Sequence, residues 1–160
     1  NVEYLRKCKR EMGDIPCALE FRHQSWFKPH YREKTLKFME DEKWIHSICD
    51  EPQAGSGSIP TVLEVTNSEK VLVRFHGRNV YGWENRGAEN WREVRYLYRY
   101  NKIELQAWSH HLNQLEKECR HVYVLFNNNS GGDAADNAKD MMGILNIEYE
   151  GLAPRQLDLF

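Results

Sequence analysis

Three short apolar runs in the sequence each end in a group of polar, charged or aromatic residues. The runs lie at residues 17–23, 71–79 and 121–129. Each run is rich in β-branched and aromatic residues and is followed by turn-forming residues, which is the pattern of a buried β-strand. A helical pattern follows each run. This order predicts a parallel α/β protein with a site at the carboxyl ends of its strands.

The spacing of apolar residues also predicts the elements between these strands. We expect helices over residues 2–12, 31–42 and 102–119, and a last helix from Asp133 or Asp136 to Leu145. We expect a further strand over residues 44–49 and a short extended piece over residues 61–65. Asn101 is the expected N-cap of the third helix. Residues 77–97 are predicted to form a long loop, and such loops are commonly functional.

Strand alternation indicates which side chains share a face. In the second run, one face carries Val71, Val73 and Phe75, and the other carries Leu72, Arg74 and His76. In the first run, Glu20 and Arg22 lie together on one face. An apolar face suits packing against helices, whereas a mixed face suits the interior of a barrel that becomes polar near its carboxyl end.

The polar end of such a barrel is therefore the expected site. We expect Glu20, Arg22, Arg74 and His76 to converge there. Asp50 joins them if its strand is parallel to the others. Asn127 and Asn128 would come from the last strand.

Each of these candidates also has a structural interpretation. Glu20 and Arg74 equally fit a buried ion pair without a chemical role. His76 alone fits a hydrogen-bonded core histidine. The next residue, Gly77, lets the backbone approach a ligand, and Arg78 can clamp an anion, which favours a ligand role for His76 and Arg78.

Amide, aromatic and metal-ligating side chains leave further alternatives open. Asn127 and Asn128 suit either a polar ligand or a strand-to-helix turn. Tyr100, in the sequence YRY at residues 98–100, suits stacking on a sugar or base, or packing in a rigid loop over the barrel mouth. Glu20, Asp50 and His76 are suited to a divalent ion but lack a diagnostic spacing, so we assign no metal ligand and leave the cofactor open.

Composition and charge narrow the class of protein. The chain has 160 residues, of which 41% are hydrophobic and 29% charged, as expected for one globular domain. Its 22 basic and 24 acidic residues give a net charge of -2, which does not favour wrapping of nucleic acid. Four scattered cysteines predict reduced thiols in a cytoplasmic protein. No apolar stretch is long enough to span a bilayer, and we expect no membrane partner.

Several motifs stand in a characteristic order along the chain. They are LEFRH at residues 19–23, SWF at 25–27, DEP at 50–52, RFHGR at 74–78, YRY at 98–100, FNN at 126–128 and NA at 137–138. Together they resemble the YecE-like family, domain of unknown function 72, from about residue 17 to the end of the chain.

This resemblance implies a TIM-type (β/α) barrel with no established activity. Full-length members are longer, so residues 1–160 resemble the carboxyl-terminal part of one barrel domain, and the start at Asn1 within a helical pattern also suggests a fragment. A parallel barrel usually needs ~250 residues, so this portion would be open. The resemblance implies site candidates without assigning roles: Glu20, Arg22, Asp50, Arg74, His76, Arg78, Tyr100, Asn127 and Asn128.

The irregular tail over residues 148–160 carries a separate signal. Its last five residues, QLDLF at 156–160, are similar to the peptide by which bacterial proteins dock on the DNA polymerase sliding clamp. Leu157, Leu159 and Phe160 supply apolar anchors, and Gln156 supplies a directional hydrogen bond. An apolar strap that packs on the protein's own helices is the alternative.

Two hypotheses follow for the function. In the first, the protein is an enzyme, such as a hydrolase, that acts on a phosphate-bearing or nucleic-acid substrate. Arg22, Arg74 and Arg78 would hold the anion, His76 would be the acid or base, and Glu20 would orient a partner or serve as base. Asp50, Tyr100, Asn127 and Asn128 would contact the substrate. In the second, the protein is a non-catalytic accessory protein of the sliding clamp. A sugar or sugar-phosphate enzyme is a third class, supported by barrel analogy alone.

Overall fold

The protein is described by a computed structural model that covers residues 1–85, 87 and 89–150. These residues contain one short 3-10 helix, Gln24–Phe27, between the first strand and the second α-helix. The strands are β1 Ala18–Leu19, β2 Ile45–Asp50, β3 Lys70–Phe75 and β4 His121–Phe126. The α-helices are α1 Val2–Met12, α2 Pro29–Asp41, α3 Val80–Glu84, α4 Trp91–Arg95, α5 Lys102–Glu118 and α6 Asp133–Ile144.

The four strands form one parallel sheet in the order β1-β2-β3-β4, which is also their order in the chain. In one row across the sheet, Cys49 lies beside Arg74, and Arg74 lies beside Leu125. Because parallel strands end at the same edge, the residues that follow them come close together. The prediction of a parallel α/β protein is confirmed at the level of a mixed α/β fold with a four-stranded parallel sheet.

One face of this sheet packs against α5 and α6. Val71, Val73 and Phe75 of β3 are fully buried, as strand alternation predicted. They belong to a core that includes Leu105, Trp108, Leu112, Leu115 and Met141. The centroids of the Phe75 and Trp108 rings are 4.8 Å apart in an edge-on arrangement. Since burial of each large apolar side chain contributes about 1.5–3 kcal/mol, this face holds the sheet on its helices.

The opposite face of β3 and β4 is open in the described part of the chain. Leu72 and Arg74 are only partly buried, and the side chains of Tyr123 and Leu125 lie on the same face, with exposed fractions of 49% and 51%. Strand β4 has a strand neighbour on one side only among the described residues. An apolar face beside an unpaired strand edge is a feature that folded proteins normally cover.

The helix ends follow local sequence signals. Asn101 accepts a hydrogen bond from the backbone N–H of Glu104, and the Glu104 carboxylate accepts one from the backbone N–H of Asn101. This reciprocal cap starts α5 and confirms Asn101 as its N-cap. No helix among the described residues is both long and apolar enough to cross a membrane.

One predicted strand is shorter than expected, and the short extended piece expected over residues 61–65 is not a strand of the sheet. The run at residues 17–23 forms only the two-residue strand β1, because His23 caps the 3-10 helix and turns the chain out of the sheet. Residues 61–65 form no strand. The hydroxyl of Thr61 donates instead to the carbonyl of Cys49, and that of Thr66 to the carbonyl of Trp44, so side chains tie this segment to β2.

The predicted loop over residues 77–97 contains two short helices, α3 and α4, which corrects the sequence interpretation. Asn79 caps α3 by accepting a hydrogen bond from the N–H of Gly82. A Cβ at Gly82 would lie 2.6 Å from the carbonyl oxygen of Val94, so only glycine permits this close contact with the end of α4. The segment is therefore packed on itself and not extended.

Candidate active site

A carboxylate on the open face of the sheet gathers three polar partners. Glu20 follows β1, and its Oε2 accepts hydrogen bonds from Arg74 Nη1 at 2.6 Å and from the Ser47 hydroxyl at 3.2 Å. Its Oε1 lies 3.1 Å from Arg22 Nε. These partners come from three different segments of the chain. The structure thus brings together Glu20, Arg22 and Arg74, three of the residues expected at the polar end.

His76 completes this cluster from the carboxyl end of β3. Its side chain is fully buried, and Nε2 lies 3.5 Å from Glu20 Oε1. The amide Nδ2 of Asn127 lies 3.1 Å from His76 Nδ1. Because that amide nitrogen can only donate, Nδ1 must accept, and the imidazole proton sits on Nε2, facing Glu20. Burial, which outweighs the attraction of Glu20, lowers the pKa of His76 and keeps the ring neutral.

The environment of Glu20 keeps this carboxyl group charged, whereas that of His76 keeps the ring neutral. Burial favours the neutral acid, but the contact with His76 and the positive charges of Arg22 and Arg74 outweigh burial and lower the pKa of Glu20 to about 2. Glu20 is therefore ionised at neutral pH. An ionised carboxylate beside a neutral imidazole is an arrangement in which the carboxylate stabilises a proton taken up by the ring.

A second carboxylate, Glu51, shares the guanidinium of Arg22. Arg22 Nη1 lies 3.4 Å from Glu51 Oε2, and Glu51 Oε1 accepts a hydrogen bond from the backbone N–H of Ile59 at 2.7 Å. Burial raises the pKa of Glu51 to about 7 against the opposing effects of Ile59 and Arg22, with the charge of Glu20 adding to the increase. Glu51 is thus poised to gain or lose a proton at neutral pH.

Aromatic side chains from the 79–97 segment cover the cluster. The ring centroids of Trp83 and Tyr96 lie 6.3 and 5.9 Å from that of His76. The guanidinium of Arg95 lies 3.8 Å from the Trp83 ring and 5.2 Å from the Tyr96 ring, within the range of a cation–π contact. This cover keeps His76 away from water and brings a further positive charge to the site.

Asp50 stands at the centre of a different cluster, on the helix-facing side of the sheet. Its two carboxylate oxygens accept hydrogen bonds from Arg78 Nε at 2.8 Å and Arg78 Nη2 at 2.5 Å. The Tyr100 hydroxyl donates to it at 3.0 Å, and the indole N–H of Trp108 also donates. Arg78 Nη1 donates to Glu104 as well, at 3.1 Å. Four donors thus satisfy a carboxylate that is 3% exposed.

Asp50 therefore does not join Glu20, although β2 is parallel as required. The reason is alternation along the strand: Asp50 lies beside Phe75 in the register, whereas Cys49 lies beside Arg74. The same rule separates the two asparagines. Asn127 contacts His76, whereas the Asn128 amide donates to the Tyr98 carbonyl and to Asn137. Of the expected site residues, Asp50, Arg78, Tyr100 and Asn128 lie outside the Glu20 cluster.

Glu51 is the functional candidate that sequence reasoning missed. Its signal was present, because Ser47, Cys49 and Glu51 alternate onto the face that carries Arg74, whereas Asp50 does not. The burial that raises the pKa of Glu51 depends on the 51–59 turn and on Arg22, which are not adjacent in sequence. Trp83 and Tyr96 were missed as covering residues for the same reason.

One group of side chains has the composition of a metal site. Glu20, Cys49 and His76 place potential ligand atoms within 4.8 Å of one another. Burial, together with Glu20 and Glu51, raises the pKa of the Cys49 thiol, which opposes formation of a thiolate ligand. Both Glu20 oxygens already contact guanidinium groups. A dication here would face two arginines, whose charge opposes its binding.

Comparison with known proteins gives one consistent family. Residues 1–158 match the family described as "Protein of unknown function DUF72". The chain is 67% identical over 161 residues to UPF0759 protein YunF of Bacillus subtilis (strain 168), a match that covers 100% of this chain and 57% of that protein. These matches confirm the resemblance inferred from the motifs.

Two solved structures are similar as well. A crystal structure of a DUF72 family protein from Enterococcus faecalis V583 has a TM-score of 0.89 and 43% identity, and the alignment covers 98% of this chain and 57% of that chain. A DUF72 family protein from Thermotoga maritima MSB8 has a TM-score of 0.78 and 34% identity, with coverages of 91% and 51%. This chain spans about half the length of the relatives it matches.

The Asp50 cluster predicts a loss of stability when its charge is removed. Asp50→Asn leaves Arg78 without its two-pronged partner and should lower the free energy of unfolding by about 3 kcal/mol, measured by urea denaturation. The matched control Asp41→Asn breaks an exposed pair with Lys37 and should change it by less than about 0.5 kcal/mol. An Asp50→Asn protein as stable as the parent would contradict this structural role.

Proposed function

This chain belongs to the DUF72 family, and from that premise and the geometry of the Glu20 cluster we propose that it forms the catalytic part of an enzyme acting on phosphate esters, with nucleotides and nucleic acids among the substrates. One observation carries the proposal. Two guanidinium groups, Arg22 and Arg74, flank an ionised carboxylate and a neutral histidine at the carboxyl ends of parallel strands.

The charge balance of the cluster favours an anionic substrate. Arg22, Arg74 and Arg95 bring three positive charges, against an ionised Glu20 and a Glu51 whose pKa is about 7. Planar guanidinium groups match the geometry of phosphate oxygens and bind them through paired hydrogen bonds. Arg22 is the most accessible of the contacts to Glu20, since 43% of its side chain is exposed.

His76 is the proposed proton carrier. Its Nδ1 atom, which now accepts from Asn127, is the basic atom of the ring, and its Nε2–H faces Glu20. A proton taken up at Nδ1 would create an imidazolium ion that the Glu20 carboxylate stabilises. In this role the substrate hydroxyl replaces the Asn127 amide at Nδ1, and the released amide holds the substrate beside the ring. The Trp83 and Tyr96 rings must move for substrate to reach it, which makes their segment a gate.

The residues of the Asp50 cluster have a supporting role in this proposal. Asp50 holds Arg78 and Tyr100, and the Tyr100 hydroxyl in turn accepts a hydrogen bond from the backbone N–H of Gly77. That contact fixes the chain directly after His76. Asn128 anchors the end of β4 directly after Asn127. The cluster therefore sets the positions of the reacting residues without touching the substrate.

We predict that His76→Gln abolishes turnover without unfolding the protein. The assay uses a chimera in which this chain replaces the matching part of the Bacillus subtilis relative, with p-nitrophenyl phosphate and bis(p-nitrophenyl) phosphate as substrates. Loss of a positioned acid or base should lower turnover about 10²- to 10⁴-fold. The control Arg32→Gln, on α2, breaks an exposed pair with Glu64 and should leave turnover unchanged. Full activity of His76→Gln would remove the proton-carrier role.

For the fold, we propose that this chain is the carboxyl-terminal part of a single TIM-type barrel domain. The sheet order follows the chain order, and polar residues gather at the carboxyl ends of the strands, as in such barrels. The open face with Tyr123 and Leu125 and the unpaired edge of β4 are where further strands would pack. The relatives contain nearly half their length beyond the matched part.

Barrel closure predicts association with the rest of a relative. Co-expression with the part of the Bacillus subtilis protein that this chain does not match should give a one-to-one complex by light scattering. Leu125→Arg places a charge on the face that closes and should prevent the complex. Ile103→Arg, on the exposed side of α5, should not, since Ile103 is 79% exposed. Equal effects of the two substitutions would contradict closure over this face.

We also propose, from the sequence alone, that the tail docks on the bacterial DNA sliding clamp. The motif residues Gln156, Leu157, Leu159 and Phe160 lie outside the described residues. The motif contains a glutamine followed by two leucines and a phenylalanine. These side chains suit an apolar groove with one hydrogen-bond acceptor or donor at its rim. Docking would favour DNA as the phosphate-bearing substrate, and it would also serve a non-catalytic accessory protein.

The docking proposal predicts a tail-dependent complex. The chain should bind purified clamp in a surface plasmon resonance assay. Leu159→Ala with Phe160→Ala should weaken binding at least about 30-fold, because loss of even one hot-spot anchor costs about 2 kcal/mol or more. Substitution of the exposed Tyr4→Ala on α1 is the control, since it removes an aromatic group elsewhere. Binding that survives the tail substitutions would assign the contact to another surface.

A further inference from the structure

One guanidinium group is divided between two carboxylates that differ in their access to water. Arg22 Nε lies 3.1 Å from Glu20 Oε1, and Arg22 Nη1 lies 3.4 Å from Glu51 Oε2. The Arg22 side chain is 43% exposed, whereas that of Glu51 is fully buried. Glu20 keeps two other donors, Arg74 and Ser47. The Glu51 carboxylate contacts the Ile59 N–H and Arg22, and the charge of Arg95 also attracts it.

An anion that reaches Arg22 from solvent must therefore compete mainly with Glu51. Glu20 remains neutralised by Arg74 when Arg22 turns toward a ligand. Glu51 is left with the N–H of Ile59 and the attraction of Arg95, which together with Arg22 do not hold its pKa below about 7. A buried carboxylate that loses its cation takes up a proton, since isolated buried charge costs more than the neutral acid.

The ionisable groups around Glu51 act on its pKa in opposing directions. They come from three segments: Arg22 and Glu20 after β1, Cys49 in β2, and Arg95 in α4. Glu20 repels a negative Glu51, and the protonated Cys49 thiol supplies no positive charge. Arg95 attracts Glu51, but its guanidinium lies over the Trp83 ring at 3.8 Å. A bound anion would add a further negative charge at Arg22 and would favour protonation more strongly.

We propose that this chain binds a tetrahedral oxyanion at Arg22 and Arg74 and that Glu51 takes up one proton as the anion binds. The class of ligand in this inference rests on the proposed function. The inference adds that Glu51 would hold a proton beside the bound phosphate ester. Glu20 then stays ionised, whereas Glu51 takes up and releases the proton.

The pH dependence follows from the order of the two states. Without ligand, burial raises the pKa of Glu51 to about 7, so Glu51 is mostly ionised at pH 8 and mostly protonated at pH 5.5. With ligand, its pKa is higher because Arg22 is withdrawn and a negative charge is added. Proton uptake is therefore greatest above pH 7 and disappears well below it. By linkage, anion affinity falls as pH rises through and above 7.

Sulfate is the probe, because it has the shape and charge of a phosphate dianion but does not titrate between pH 5 and pH 9. Isothermal titration of the chain with sulfate, repeated in buffers of different ionisation enthalpy, counts protons taken up per anion bound. We expect between about half and one proton at pH 8 and about none at pH 5.5. The dissociation constant should rise about tenfold for each pH unit above the pKa of Glu51 until the bound form also ionises.

Two variants separate this coupling from general anion binding. Glu51→Gln keeps an acceptor for the Ile59 N–H and should bind sulfate at pH 8 as tightly as the parent does at pH 5.5, with no proton uptake. Arg22→Gln should lose both binding and uptake, whereas the matched exposed arginine variant Arg32→Gln should keep both.

The outcomes distinguish this inference from the proposed function. Sulfate binding without proton uptake at pH 8, or uptake that persists in Glu51→Gln, would overturn the coupling and leave the anion site standing. Absence of sulfate binding at every pH would overturn both. Coupled binding in a protein that turns over no phosphate ester would support the inference and count against the enzyme.

Discussion

The parallel register of β2, β3 and β4 is the constraint on which the two clusters depend. Because Cys49 lies beside Arg74 and Asp50 beside Phe75, neighbouring residues of one strand point to opposite faces of the sheet. One face buries Val73 and Phe75 against α5, and the other carries the charged residues. A shift of one residue would place Arg74 among the core side chains, where an unpaired guanidinium is far too costly to bury.

The two ionic clusters differ in how fully their charges are satisfied. Asp50 accepts hydrogen bonds from Arg78, Tyr100 and Trp108, so its carboxylate oxygens have little capacity left to bind a ligand. The Glu20 cluster is arranged otherwise. Arg22 serves two carboxylates, Glu51 depends on a shared cation, and His76 Nε2 faces Glu20 at 3.5 Å without a close hydrogen bond. Saturated networks stabilise a fold, whereas unsaturated ones retain capacity for a substrate.

The sequence predicted most elements and half of the cluster, and the failures have physical causes. Periodicity located β3, β4, α5 and α6 because their burial depends on local alternation of apolar residues. Alternation also placed Glu20, Arg22, Arg74 and His76 together. In the second strand the same alternation places Glu51, and not Asp50, on the face of Arg74. The helices α3 and α4 were missed, because they depend on the close approach of Gly82 to Val94, a contact between residues twelve positions apart.

The aromatic cover helps to maintain the shifted pKa values in the cluster. Water at His76 and Glu51 would return both pKa values toward their ordinary ranges, since burial is the largest cause of each shift. The Trp83 and Tyr96 rings exclude water from His76, and Arg95 contacts both rings by cation–π interaction. A ligand that drew Arg95 toward its own charge would loosen this cover. In the proposed mechanism, anion binding, access to His76 and the proton affinity of Glu51 would therefore be coupled through the same few side chains.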